Sequence, residues 1–97
     1  MAKHKEGRIE DYLVEQVEQH GGIIRKSCWL GRRGCPDRYV SFAGGRQGFV
    51  EVKAPGLPLQ LHQAREIEKL RAAGTVAVVV DNYDAVDLLI AGWRKPQ

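Results

Sequence analysis

Methionine, cysteine, proline and long apolar runs are scarce in this chain of 97 residues, which has one, two and four of the first three. No stretch approaches the roughly 18–20 consecutive apolar residues of a membrane-spanning helix, so no membrane partner is expected. The basic start MAKHKEGR leads into a segment that is amphipathic from Ile9 onward, which is not the pattern of a secretory signal. Cys28 and Cys35 are too few for a disulfide framework and are not spaced as C-x-x-C, so both are expected as reduced thiols. A zinc site joining them to His4, His20 or His62 is the weaker reading, because no two of these residues share a recognised ligand spacing. There is no repeat, low-complexity tract or linker, so residues 1–97 are expected to form one domain.

What remains is a globular composition, 43% hydrophobic and 28% charged, with a net charge of +3. The charge is unevenly placed. Between Gly22 and Pro55 lie seven bases (Arg25, Lys26, Arg32, Arg33, Arg38, Arg46 and Lys53) and only two acids, Asp37 and Glu51. Such a basic stretch suits a polyanion, whereas isolated carboxylates within it suit a bound cation.

Periodicity divides the chain into seven elements. Ile9, Tyr12, Leu13 and Val17 mark a helix from about Glu6 to His20, closed by Gly21-Gly22. Ile23 to Trp29 reads as a strand. Arg38–Ala43 and Gln47–Lys53 read as two more, joined by Gly44-Gly45 as a hairpin. Gln60–Ala73 is helical and ends at Gly74, Thr75–Val80 is a buried β-branched strand, and Asp81 or Asn82 caps a last short helix to about Ile90. The order α-β-β-β-α-β-α implies an α/β fold: a small mixed sheet flanked by helices, its last strand parallel to a neighbour.

A Gly44-Gly45 turn pairs residues whose numbers sum to about 89, which sets Asp37 opposite residue 52, between Glu51 and Lys53. Glu51 and Lys53 share a strand face. The hairpin therefore gathers two acids and a lysine at one end of the sheet, an arrangement that is costly unless something binds between them. Pro36 restrains the approach to Asp37. Glu10 lies along a partly apolar helical line with Val14 and Val17, with Glu6 one turn earlier as the alternative, and Gln63 is aligned with Ile67 and Leu70.

The ordered set Pro36-Asp37, thirteen residues, then Glu51-x-Lys53, with Glu10 before and Gln63 after, resembles the PD-(D/E)xK nuclease superfamily. More closely it resembles the VRR-NUC (virus-type replication-repair nuclease) domain family, through RIEDYLVEQVEQHGG, GCPDRYVSFAGG, FVEVKAPG and LHQAREIEKLRAAG. Cys35 departs from that pattern, which usually has an aliphatic residue before the proline.

The resemblance implies a restriction-endonuclease-like core and a metal-dependent DNA endonuclease. Its DNA would be branched or nicked, as for Holliday-junction resolvases of phage replication, recombination or repair. It would act as a homodimer. With neither a secretory signal nor a membrane-length apolar run, the expected location is the cytoplasm, that of the host cell if the protein is viral. Asp37 and Glu51 would bind Mg²⁺ or Mn²⁺, with the Val52 carbonyl completing the shell and Glu10 binding directly, through water or at a second position. Lys53 would orient the attacking water or meet the developing charge, and Gln63 would position Lys53 or that water. Lys26, Arg32, Arg33 and Arg38 are the expected phosphate contacts. Taken singly, each of these residues is an ordinary surface side chain. The rival reading is a non-catalytic basic DNA-binding module with structural carboxylates.

Overall fold

The computed structural model describes residues 5–94, arranged as three helices and a four-stranded sheet in the expected order. Helix α1, Lys5–Gln19, buries Ile9, Leu13 and Val17, the apolar stripe of its sequence. Strand β1 is Ile23–Lys26, three residues shorter than its apolar run suggests. Its partner β2, Arg38–Ser41, begins only after Pro36. The last ladder pair is Lys26 with Arg38, and Ser27 N–H donates to Asp37 O at 3.0 Å just beyond it. Pro36 has no N–H to extend the ladder, so the chain leaves the sheet there.

Strand β3, Gln47–Val52, pairs antiparallel with β2 in a register of Arg38 with Val50 and Tyr39 with Phe49. That is one residue from the expected pairing. The cause is the turn: Phe42 N–H donates to Arg46 O at 3.0 Å, leaving Ala43-Gly44-Gly45 as a three-residue loop rather than a two-residue one. Gly44 sits at φ 73°, a conformation that glycine adopts without steric cost.

Helix α2, Leu61–Ala72, then carries the chain to β4, Ala77–Val80, which lies parallel to β3 as a helical crossover allows. Gly48 is required where they meet, since a Cβ there would sit 2.5 Å from the Val76 carbonyl oxygen. Helix α3, Tyr83–Trp93, is capped by Asn82, whose side chain accepts from Ala85 N–H at 2.7 Å. It runs one turn past the expected end because Trp93 is buried and its carbonyl accepts from Arg46 N–H at 2.7 Å.

The sheet order is β1-β2-β3-β4. Alternation along the strands decides which element covers which face. Val40, Val50, Val52 and Val80 join α1 and α3 in the main core. Tyr39, Phe49 and Glu51 point the other way, toward the side where α2 supplies Gln63 to Glu51. Glu51 of β3, and by the same alternation Lys53 just past its end, thus belong to the α2 side of the sheet.

Candidate active site

Asp37 enters β2 directly after buried Pro36, and its carboxylate caps the neighbouring strand: Val52 N–H donates to Asp37 Oδ2 at 2.9 Å. Among the described residues Glu51 is the one charged side chain that is buried, at 2% exposed. Gln63, on the first turn of α2, donates from Nε2 to Glu51 Oε2 at 2.9 Å and accepts the Gln60 N–H on Oε1 at 2.9 Å. Both ends of that amide are therefore committed, and its orientation is fixed. The Nε2 bond ties Gln63 to Glu51, whereas the family resemblance implied a role in positioning Lys53 or the attacking water. Glu51 Oε1, by contrast, is buried with no hydrogen-bond partner.

An unpaired buried carboxylate oxygen is expensive. Burial and the nearby Asp37 charge push the Glu51 carboxyl up to about 7, against the opposing pull of the Asp37 backbone amide and the Lys53 charge. Burial likewise raises Asp37, aided by the Glu10 charge, while the Val52 amide, Lys53 and Lys26 act in the opposite sense. Lys53 is half-buried, extends the same strand, and its charge is felt by both carboxylates.

Glu10 and Arg38 form a separate unit. Arg38 Nε donates to Glu10 Oε2 at 2.7 Å, and the two side chains are 16% and 23% exposed. The reason is strand alternation: Asp37 and Tyr39 face α2, so Arg38 faces α1, where Glu10 waits. Arg38 was expected to contact phosphate; here it is held by a carboxylate instead. Glu10 sits close enough for its charge to act on Asp37, while exposed Glu6, one turn earlier, acts on Glu51.

Among the described residues, no three acidic, histidine or cysteine side chains converge closely enough to hold an ion. The zinc reading fails on the same ground for its described members. His20 bonds the Gln16 carbonyl and His62 meets Arg33, while His4 lies outside the described residues. Cys28 and Cys35 are both free thiols, and burial raises the latter. What Asp37 and Glu51 offer is a pair of hard oxygen donors, one of them unsatisfied. That suits a cation such as Mg²⁺, which keeps several waters and takes only one or two carboxylates.

The segment between β1 and β2 forms a closed loop whose neck is pinned by Ser27 Oγ donating to Pro36 O at 2.5 Å. Lys26, Arg32 and Arg33 are exposed on or beside it. Trp29 lies edge-on to Phe49 at 5.5 Å and donates its indole N–H to Glu66 Oε2 at 2.7 Å. Glu66 went unrecognised in the sequence, although it lies three residues after Gln63 and so on the same side of α2.

No family model matches the chain. A curated relative, "Putative nuclease p44" of Acyrthosiphon pisum secondary endosymbiont phage 1, is 42% identical over 87 residues, covering 90% of this chain and 94% of its own length. A solved structure described as a VRR_NUC domain superposes with a TM-score of 0.83 at 41% identity, over 90% of this chain and 95% of that one. With a fold and a relative that agree along nearly the whole length, the chain belongs to the VRR-NUC domain family.

Proposed function

We propose that this chain is a divalent-cation-dependent endodeoxyribonuclease. The observation that carries the reading is Glu51 Oε1: a buried, unpartnered carboxylate oxygen on the same sheet face as Asp37, with a lysine two residues on. Nothing in a merely structural ion pair explains that cost, and a bound cation does.

Asp37, Glu51 and the Val52 carbonyl would hold Mg²⁺ or Mn²⁺, which when bound neutralises phosphate charge and lowers the pKa of a coordinated water. The chain's own residues do the rest. Gln63 occupies Glu51 Oε2 and so leaves Oε1 as the free donor. Val52 N–H fixes one oxygen of Asp37, orienting the other. Lys53 brings a cation to the same strand face, where it orients the attacking water or stabilises charge on the phosphoryl oxygens. Arg38 restrains Glu10 near Asp37, where Glu10 would bind the cation directly, through water or at a second position. Arg32, Arg33 and Lys26 hold the phosphodiester backbone, the charged contacts that give salt-dependent affinity.

The substrate we propose is branched or nicked duplex DNA in phage replication, recombination or repair, cut by a homodimer that sets two sites on opposing strands. The phage origin of the curated relative supports this setting. The test is cleavage of end-labelled four-way junction, flap, nicked and linear duplex with Mg²⁺, Mn²⁺ or EDTA, beside Lys53→Ala. Metal-dependent cutting lost in the variant is expected. Metal-insensitive binding with no cutting of any substrate would return the carboxylates to a structural role.

A further inference from the structure

The loop from Ser27 to Asp37 combines features that a solvated connector does not need. At its tip Leu30 is 95% exposed, with Trp29 on one side and Arg32 and Arg33 shortly beyond. An isolated exposed leucine is ordinary. This one is held out by a rigid frame. Trp29 beside it is locked by the 2.7 Å bond to Glu66 and the edge contact with Phe49. Gly34 on the other side is pressed against α2 at φ +92°, where a Cβ would lie 2.8 Å from the His62 carbonyl oxygen. The neck is closed by Ser27 with Pro36 and Asp37. Anchors at both flanks and the neck leave Leu30 as the part that touches nothing.

The anchors differ in worth. Glu66 also meets Arg32 at 3.8 Å, but Arg32 is 60% exposed, and an exposed ion pair at that distance contributes little. The bond to Trp29 is short, charge-assisted and half-buried, so Glu66 serves as the anchor and leaves the Arg32 guanidinium available.

We propose that this loop is a DNA wedge: Leu30 inserts at an unstacked base step while Arg32 and Arg33 hold the flanking phosphates, with Glu66 as the positioning residue. An apolar tip flanked by cations is the chemistry that levers base steps apart, and unstacking is cheapest where the duplex is already interrupted. The loop closes at Asp37, so the segment that carries Leu30 is anchored at a member of the carboxylate pair. The proposal rests on the nucleic-acid reading of the site and gives its branch preference a structural origin.

The test is binding of the full chain, in EDTA, to a four-way junction and a linear duplex, each carrying 2-aminopurine at the central step. Because nothing is cut in EDTA, failure of the nuclease reading leaves this measurement intact. Binding of the unaltered chain should raise 2-aminopurine emission on the junction alone. Leu30→Ser, which alters a fully solvated position and spares the fold, should abolish that rise. It should weaken junction binding about tenfold while duplex affinity stays within about twofold. Glu66→Ala should reproduce the loss, and Glu66→Gln, which keeps an acceptor for Trp29 Nε1, should restore it. The Trp29 indole N–H resonance should move in the alanine variant while that of Trp93 stays. Equal weakening on both DNAs would overturn the wedge, leaving a plain phosphate contact. So would a change in sedimentation of Leu30→Ser without DNA, which would make Leu30 a contact between copies.

Discussion

Replacing Glu51 by glutamine should stabilise the metal-free protein, and by an amount the structure sets. The Glu51 carboxyl moves from 4.5 to about 7 on folding, chiefly through burial. At about 1.4 kcal/mol per tenfold, keeping it ionised above that range costs about 3 kcal/mol. Between the two values the folded state holds a proton that the unfolded state has released, so stability falls as pH rises across that window. Glu51→Gln removes the titration and keeps a side-chain oxygen for Gln63. At pH 8 in EDTA its melting temperature should exceed that of the unaltered protein by about 10–20 °C, and the difference should vanish near pH 4. Circular dichroism melts from pH 4 to 8 measure this directly. Mg²⁺ at a hundred times its dissociation constant should restore about 2.7 kcal/mol to the unaltered protein and nothing to the variant. Parallel stability curves for the two proteins would show that Glu51 carries no burdened charge, and the argument for a cation site would fall with it.

Lys53→Ala and Asp37→Asn should each lower cleavage about a hundredfold or more while junction binding persists, read by single-turnover kinetics. Arg38→Ala should leave Glu10 without its partner, lower stability by about 1 kcal/mol in urea melts, and change the salt dependence of DNA binding little. Arg32→Ala should instead reduce the slope of log affinity against log salt by about one, the signature of a lost phosphate contact. Gly48→Ala should cost about 1–3 kcal/mol, because its methyl group meets the Val76 carbonyl oxygen at 2.5 Å.

Much of the fold was legible because its signals are local. The stripe of Ile9, Leu13 and Val17, the β-branched run before Asp81 and the glycines after the first two helices need no partner to be read. Where the reading slipped, a partner decided. β1 stops at Lys26 because proline ends its neighbour's ladder, α3 reaches Trp93 because the core buries that ring, and the hairpin shifts by one because its loop holds three residues.

The site divides in the same way. Covalent spacing along β3 places Glu51 and Lys53 on one face whatever the tertiary context, and a hairpin returning from Asp37 must bring that carboxylate to the same end. These residues could be named from order alone. Which oxygen of Glu51 is left free, that Gln63 takes the other, that Arg38 clasps Glu10 and that Glu66 holds Trp29 are side-chain pairings between elements distant in sequence. They depend on strand parity, helix rotation and burial acting together, and only packing of α1 and α2 against the two faces of the sheet fixes them.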